Sequence, residues 1–464
     1  MLVCAEFAGP NLRTAANVFG PAAADLFLLS KYTHYYNTVI SCTDFFCLFS
    51  DWLSVRIYGL RRCSLSDYFC YFRGRHTIIF FRRTMSALYI HIPFCKTRCS
   101  YCDFYKSTSC ARCGDYTEAL IREMTLRRGY FDSGDVPETI FFGGGTPSVY
   151  HPGVLQRLID YARSVWHFGR LDEVTVEVNP DDITDEYLTA LERTEVNRIS
   201  MGIQSFVDSD LKLLGRRHDA AQAVNAVRMA QQHGFRNISI DLMFGIPGMT
   251  ISEWEENLMK AVSLGVQHIS AYALTIDPQS VLGRRIAEGY IVPECDEVYE
   301  RQFQMCHELL TANGFEHYEI SNYALAPVGE FRSRHNFAYW SDVKYLGLGP
   351  SAHSYNGNQR IWAVSDLDVY LREAGNDSIY ECEILSTTDK YNEFIMTSLR
   401  TSDGLDRNVF ERKFGTEALR RFESVAATLV GNGDLVRDGN RFVIPYDKFM
   451  VSNSIISELF SIEP

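Results

Sequence analysis

The chain has 464 residues, 46% of them hydrophobic and 22% charged, which is the composition of a globular protein with two or three packed units. A formal net charge of −13 argues against nucleic acid as a partner, because binding a phosphate backbone requires a basic surface. The 13 cysteines come without a secretory signal or an uninterrupted apolar run of membrane-spanning length, so we predict a cytoplasmic protein with reduced thiols.

The first 84 residues differ from the rest of the chain, since they carry nine Lys or Arg against five Asp or Glu. Their many aromatic residues follow neither a helical nor a strand period. The acidic residues Asp44 and Asp51 do not fit a mitochondrial-type leader, which is poor in acids. We therefore expect Met85 to be the native start and residues 1–84 to be an upstream extension that is not part of the native protein.

From Ser86 onward, short β-rich runs alternate with amphipathic segments at helical period. Six such runs in series indicate parallel strands joined by right-handed crossovers. They are too few for a complete eight-stranded barrel, so the sequence predicts an α/β fold with a partial (β/α)6 barrel over residues 85–280. The predicted strands are residues 88–92, 139–142, 174–178, 198–203, 238–242 and 268–275, and the predicted helices include residues 154–166, 220–233 and 251–264.

Polar residues alternate with apolar ones in the third, fourth and fifth predicted strands. If the apolar residues pack under the helices, the polar residues line the lumen, near the strand ends where barrel folds place their chemistry. Glu177, Gln204 and Asp241 occupy these inward positions. The alternative is that each of them is a polar side chain satisfied within the core.

After residue 280 the regular alternation of strand and helix is lost. Residues 281–384 are predicted to form an α+β extension with a strand near residues 316–322. Residues 385–464 show two helical segments followed by short strands at 434–437 and 441–445, an order typical of a winged-helix-like domain. Acidic residues dilute the arginines of this last domain, so we do not predict that it binds DNA.

Three cysteines, Cys95, Cys99 and Cys102, directly follow the first predicted strand of the barrel. Three thiolates in one loop can bind three irons of a four-iron cubane and leave the fourth iron open for a chelating molecule. The alternative is zinc, held by Cys99 and Cys102 together with Cys110 and Cys113. Structural zinc sites usually place about 12–20 residues between two such cysteine pairs. Here only residues 103–109 separate the two pairs, so we interpret Cys110 and Cys113 as incidental thiols.

The Cys-x3-Cys-x2-Cys spacing after a first strand resembles the signature of the radical S-adenosylmethionine (SAM) superfamily. This resemblance implies a [4Fe-4S] cluster whose unique iron binds the amino and carboxylate groups of SAM. It also implies that the glycine-rich segment at residues 141–147 contacts the SAM amino group, although the segment alone indicates only a turn. The residues that the resemblance assigns to the SAM site are Tyr89, Gly144, Gly145, Thr146, Glu177, Gln204, Arg216 and Asp241.

One branch of the superfamily is matched along the whole chain from Tyr89 onward. The sequence resembles the oxygen-independent coproporphyrinogen oxidases and their relatives, the HemW heme chaperones. The segments that carry this resemblance are residues 91–95, 143–148, 198–206, 318–322 and 345–354.

Two features resemble the heme chaperones more closely than the oxidases. Phe104 stands where the oxidases carry a fourth cysteine, and His335 begins a His-Asn-x-x-Tyr-Trp segment proposed for heme binding in HemW proteins. His335 is thus the candidate heme ligand and His353 a weaker one, while the alternative is a histidine satisfied in an aromatic core.

The resemblance implies a heme chaperone that binds heme, the cluster and SAM. Such a protein would deliver heme to respiratory apoproteins at a membrane surface and would lack coproporphyrinogen III oxidase activity. The alternative is the oxidase itself, using radical SAM chemistry in heme biosynthesis. The sequence leaves open whether the chain forms a homodimer.

Overall fold

The computed structural model describes residues 68–73, 77–82, 84–102, 107–131 and 135–461. Residues 1–67 and Phe104 lie outside the described residues, so the expectations placed on them stay predictions. The chain divides into two units, Met1–Thr84 with Phe131–Val136 and Met85–Tyr130 with Pro137–Pro464. The described part of residues 1–84 includes an antiparallel hairpin of β1 (Tyr68–Arg73) and β2 (Thr77–Arg82).

Six strands lie side by side in chain order, as predicted for a partial (β/α)6 barrel. Parallel pairing runs without interruption from the second of these strands to the sixth. The six strands are β3 (Thr84–Ile92), β4 (Asp135–Gly144), β5 (Glu173–Val178), β6 (Arg198–Gln204), β7 (Ile238–Phe244) and β8 (His268–Ala273). The helices between them are α1 (Cys113–Leu126), α2 (Pro152–Trp166), α3 (Asp185–Leu191), α4 (Asp208–Leu213), α5 (Ala220–Gln232) and α6 (Ile251–Ser263).

Local sequence explains where two of the barrel helices begin. Asp219 accepts a hydrogen bond from the backbone N–H of Gln222, whose side chain bonds back to Asp219, and this capping box starts α5. Thr250 and Glu253 form the same reciprocal pair at the start of α6. These caps satisfy backbone N–H groups that have no partner within the helix. They therefore determine where α5 and α6 begin and where the preceding loops end.

Residues 281–384 do not form a separate layer but lengthen the barrel sheet at both of its edges. On one side β9 (Phe315–Glu319) and β10 (Asn322–Leu325) continue antiparallel from β8. On the other side β11 (Lys344–Leu348) pairs in parallel with β3 and is followed by three antiparallel strands. These are β12 (His353–Tyr355), β13 (Gln359–Ala363) and β14 (Tyr380–Ile384). The helices of this segment are α7 (Val281–Ala287), α8 (Asp296–Ala312), α9 (Arg334–Trp340) and α10 (Leu367–Glu373).

The C-terminal residues have the order of elements predicted for a winged-helix-like domain. Helix α11 (Thr387–Leu399) is followed by β15 (Leu405–Asp406) and by α12 (Arg407–Asn432), which non-helical backbone at Gly415 divides in two. A hairpin of β16 (Val436–Asp438) and β17 (Arg441–Val443) pairs with β15, and α13 (Ser452–Glu458) follows. Within the described residues, no helix has the length and apolar character needed to cross a membrane.

A buried carboxylate connects α1 to the family-specific extension, which is residues 281–384. Glu123 is fully buried, and its oxygens accept hydrogen bonds from the hydroxyls of Tyr370 at 2.5 Å and Tyr380 at 2.7 Å. The backbone N–H of Gly349 donates a third bond at 2.9 Å, and Arg127 lies 3.5 Å away. One side chain of α1 therefore holds three separate points of the extension in place.

We predict that Glu123→Ala lowers the free energy of unfolding by about 3 kcal/mol or more, because three buried partners lose their acceptor. Urea denaturation followed by circular dichroism measures this change. The matched control is Glu118→Ala in the same helix, where the exposed pair with Arg157 at 2.8 Å is worth about 0.5 kcal/mol. Equal losses in the two variants would show that the Glu123 contacts do not hold the extension.

Candidate functional site

The loop that carries the three predicted cluster ligands is fastened at the end of β3. Cys95 is buried, while Cys99 and Cys102 are partly exposed. The backbone N–H of Cys95 donates to the carbonyl of Ser107 at 2.9 Å, and the N–H of Ser107 donates to the carbonyl of Pro93 at 2.6 Å. The chain therefore returns to β3 after the third cysteine.

Two further contacts hold the middle of this loop. The N–H of Ser100 donates to the carbonyl of Leu214 at 3.0 Å, and the carbonyl of Ser100 accepts from the N–H of Leu282 at 2.8 Å. Lys96 lies 2.5 Å from the buried carboxylate of Asp182, which also accepts the hydroxyl of Ser148 at 2.7 Å. The loop is thus anchored to the ends of several barrel units. Asp182 is a residue that the sequence analysis missed.

Two of the thiols receive hydrogen bonds from other predicted site residues. The hydroxyl of Thr146 donates to the sulfur of Cys95 at 3.4 Å, and Nη1 of Arg216 donates to the sulfur of Cys99 at 3.5 Å. In the parts of the chain that the structure describes, no three His, Cys, Asp or Glu side chains are gathered as a ready metal site. The three thiols therefore share one loop without forming a closed ligand set.

The guanidinium of Arg216 connects the cluster loop to the barrel lumen. Its Nη2 donates to Oδ1 of Asn179 at 2.6 Å and to the carbonyl of Gly202 at 2.5 Å. Its Nε is buried and has no hydrogen-bond partner among the described residues. A buried N–H without an acceptor is a site for an anionic group such as a carboxylate. Asn179, which also donates to Thr146 at 3.4 Å, was missed by the sequence analysis although it lies two residues beyond Glu177.

Two carboxyl groups face the lumen from neighbouring parts of the sheet. Burial, reinforced by the nearby Asp241, raises the pKa of Glu177 to about 8, although the backbone N–H of Gly144 donates to it at 3.0 Å. Burial also raises the pKa of Asp241 to about 6, against a hydrogen bond from the hydroxyl of Ser200 at 3.4 Å. At neutral pH Glu177 therefore holds a proton. The electrostatic effect of Asp241 on Glu177 shows that the two carboxyl groups lie near each other.

The glycine-rich loop owes its glycines to packing against β3. Gly144 has a φ of 109°, and a Cβ atom there would lie 2.4 Å from the ring of His91. A Cβ atom on Gly145 would lie 2.7 Å from the carbonyl oxygen of Phe94. The missing side chains thus make room for protein atoms. Contact of this backbone with SAM stays a prediction.

Three more residues, Gln204, Tyr89 and Tyr101, lie near Arg216 or Glu177. Gln204 is buried at the end of β6 with a φ of 71°, at an irregularity in the pairing with β7. Tyr89 is partly exposed, bonds His91 at 3.0 Å, and stacks on Phe141 with ring centroids 6.2 Å apart. Burial raises the pKa of Tyr101, whose hydroxyl also interacts electrostatically with Arg216 and the neighbouring cysteines. Tyr101 was not predicted as a site residue, although its position between two cluster cysteines was a usable signal.

His335 lies in a closed hydrogen-bond network rather than facing an open site. It is fully buried, its Nδ1 bonds the hydroxyl of Thr139 at 2.9 Å, and its Nε2 bonds the hydroxyl of Tyr339 at 2.9 Å. Burial, aided by the charge of Arg198, lowers the pKa of His335 to about 3. The weaker candidate His353 is exposed. These contacts match the satisfied core histidine that the sequence analysis left open as the alternative.

Comparisons with known proteins agree with this fold. A family described as the radical SAM superfamily matches residues 89–261, and a HemN C-terminal domain matches residues 385–445. The heme chaperone HemW of Lactococcus lactis subsp. lactis (strain IL1403) is 31% identical over 376 residues, covering 80% of this chain and 97% of the relative. The protein of the same name from Bacillus subtilis (strain 168) is 32% identical over 375 residues, covering 80% of this chain and 98% of the relative.

A solved structure shows the fold independently. Coproporphyrinogen III oxidase (HemN) from Escherichia coli aligns with a TM-score of 0.71, covering 82% of this chain and 91% of that chain. At 21% identity this likeness carries no conclusion about activity. The nearly complete coverage of the two chaperone sequences does identify the family. The chain belongs to the HemW family within the radical SAM superfamily.

Proposed function

We propose that this protein is a heme chaperone that holds a SAM-bound [4Fe-4S] cluster, binds heme and delivers it to respiratory apoproteins. Membership of the radical SAM superfamily implies the cluster and SAM. Heme binding and delivery are proposed from the relatives named heme chaperone HemW. The structural observation that carries the cofactor site is the guanidinium of Arg216, which bonds Cys99 and whose buried Nε has no partner among the residues that the structure describes.

The residues present fit both cofactors. Three thiols in one fastened loop are soft ligands of the kind that iron–sulfur clusters require, and we assign Cys95, Cys99 and Cys102 to the irons. When bound, the cluster can pass one electron to SAM, which is the chemistry typical of the superfamily. The guanidinium of Arg216 donates a hydrogen bond to the sulfur of Cys99 and so orients this ligand.

The lumen offers both signs of charge that an amino-acid group needs. The unpartnered Nε of Arg216 can donate to a carboxylate. Glu177 and Asp241 can accept from an ammonium group or from ribose hydroxyls, and Gln204 can take part in the same contacts. Asn179 connects the glycine-rich loop to the guanidinium, because it bonds both Thr146 and Arg216.

We propose that heme binds next to α9, the helix that contains the His-Asn-x-x-Tyr-Trp segment. The ring of Tyr89 in the barrel lies 6.5 Å from the ring of His335, so this helix borders the lumen. The ring of Tyr339, which bonds Nε2 of His335, is 36% exposed and separates that nitrogen from the surface. Ligation of heme iron by His335 therefore requires that its bond to Tyr339 be replaced.

We predict that replacing Cys95, Cys99 and Cys102 together with serine removes almost all bound iron and sulfide, because serine oxygen is a poor ligand for an iron–sulfur cluster. Iron and sulfide analysis after anaerobic reconstitution measures the loss. The double variant Cys110→Ser/Cys113→Ser is the control and should keep its full iron content. Full iron in the triple variant, or loss in the control, would contradict the assignment.

We predict that SAM affinity rises with pH, by up to about tenfold per unit between pH 6 and pH 8. Glu177, with a pKa of about 8, is protonated below pH 8, and the positive charge of the SAM sulfonium favours the ionised form of Glu177, so binding releases a proton. Above pH 8 this contribution levels off. Equilibrium dialysis under anaerobic conditions at several pH values measures the affinity.

The Glu177→Gln variant is the control for this prediction. It should retain only the pH dependence that belongs to the amine of SAM itself. An unchanged pH profile in the variant would exclude Glu177 from the SAM site.

We predict that the reconstituted protein binds heme and does not convert coproporphyrinogen III, as measured by heme absorption titration and product analysis. Tyr339→Phe frees Nε2 of His335 and should leave heme binding intact or tighter, because no bond to the tyrosine is then lost. His335→Ala should remove the absorption features of histidine ligation, whereas His353→Ala, at an exposed residue, should retain them.

An unchanged heme spectrum in His335→Ala would exclude this ligand. Rapid conversion of coproporphyrinogen III without stable heme binding would instead favour the oxidase function.

A further inference from the structure

Two cysteines outside the cluster motif meet in a single turn at the start of α1. Cys110 opens a short helical turn that ends at Arg112, and Cys113 is the first residue of α1. The backbone N–H of Cys113 donates to the carbonyl of Cys110, so the two residues lie on the same turn. Burial, reinforced by the neighbouring Cys110, raises the pKa of the Cys113 thiol to about 11.

The two thiols differ in solvent exposure. Cys110 is exposed and Cys113 is partly buried at the N-terminus of a 14-residue helix. Neither of them is in a disulfide, and in the described parts of the chain no third His, Cys, Asp or Glu joins them to make a metal site. An exposed thiol and a more protected one, at Cys-x2-Cys spacing on a single turn, have Cα atoms close enough for a disulfide to join them.

We propose that Cys110 and Cys113 form a reversible disulfide by exchange with the disulfide of a low-molecular-weight thiol, such as glutathione disulfide. This proposal does not rest on the proposed heme chaperone function. It replaces the interpretation of these residues as incidental thiols.

The exchange proceeds in two balanced steps. The thiolate of Cys110 attacks one sulfur of glutathione disulfide, forms a mixed disulfide and releases one glutathione thiolate. The thiolate of Cys113 then attacks the Cys110 sulfur, closes the protein disulfide and releases the second glutathione thiolate. Two protein thiols are oxidised, one glutathione disulfide is reduced, and the two protons pass to the released thiolates.

The position of this turn connects it to the cofactor site. Ser107, three residues before Cys110, bonds the backbone of Cys95. The carbonyl of Cys113 accepts the hydroxyl of Tyr150, which follows the glycine-rich loop, at 2.8 Å. The redox state of the pair therefore acts on a segment that touches both the cluster loop and the glycine-rich loop.

Peptide mapping tests the proposal directly. The full chain is equilibrated anaerobically with mixtures of glutathione and glutathione disulfide, free thiols are alkylated, and the protein is digested with trypsin. Cleavage after Lys106, Arg112 and Arg122 places the two cysteines on separate peptides, 107–112 and 113–122, so only a disulfide links them. We expect this linked pair of peptides.

The dependence on glutathione distinguishes a protein disulfide from simple mixed disulfides. The ratio of linked to reduced protein should rise about tenfold when the ratio of glutathione disulfide to the square of glutathione rises about tenfold. The exposed single thiols Cys295 and Cys382 serve as internal controls, because their mixed disulfides follow the first power of glutathione.

The same titration is repeated on the Cys95→Ser/Cys99→Ser/Cys102→Ser variant, so that the result does not depend on the cluster. The linked pair should persist there and should vanish in Cys110→Ser and in Cys113→Ser. The proposal fails if peptides 107–112 and 113–122 remain unlinked while Cys295 and Cys382 carry glutathione. It also fails if Cys110 is linked to another cysteine instead.

Discussion

The arrangement of the candidate site depends on one cation, the partly buried guanidinium of Arg216. It joins the sulfur of Cys99 in the loop after β3, the side chain of Asn179 after β5 and the carbonyl of Gly202 in β6. A guanidinium donates in fixed planar directions, so the positions of these three partners are determined together. Because its Nε has no acceptor within the described part of the chain, the same group that organises the site can also donate to a bound anion.

The acidic side of the lumen complements this cation. Burial raises the cost of ionising Glu177 and Asp241, Asp241 adds to that cost for Glu177, and donors such as Gly144 and Ser200 offset only part of it. A positively charged ligand would lower this cost of ionising the two carboxyl groups. The lumen therefore suits a molecule with separated positive and negative groups, such as an amino acid, better than a ligand of one charge sign.

The family-specific extension stabilises the barrel from its open edges. Strands β10 and β9 continue one edge and β11 to β14 continue the other, so neither β3 nor β8 is an edge strand of the sheet. Glu123 then binds the extension to α1 through three hydrogen bonds. The same extension carries α9, so it brings His335 close to the lumen and also encloses it in hydrogen bonds with Thr139 and Tyr339.

The site was partly predictable from the sequence. The cysteine spacing selected the loop, and the alternation of polar residues placed Glu177 and Asp241 on the inner face, because strand side chains point to opposite sides in turn. Asn179 and Asp182 were not found, since their roles depend on partners that lie more than 30 residues away in the chain. The sequence left the role of His335 open, because an imidazole in a closed core network and one facing a ligand have the same local sequence.

The sequence by itself determined the six-stranded barrel, the helix caps and the order of elements at the C-terminus, because hydrophobic period and capping are properties of neighbouring residues. Only the tertiary structure decided that residues 281–384 extend the barrel sheet at both edges, since pairing between distant strands leaves no local pattern. The tertiary structure also decided that the glycines of the 141–147 loop make room for His91 and Phe94. Both outcomes depend on contacts between segments that are distant in the chain. The burial of apolar surface, rather than local propensity, determines which of these segments meet.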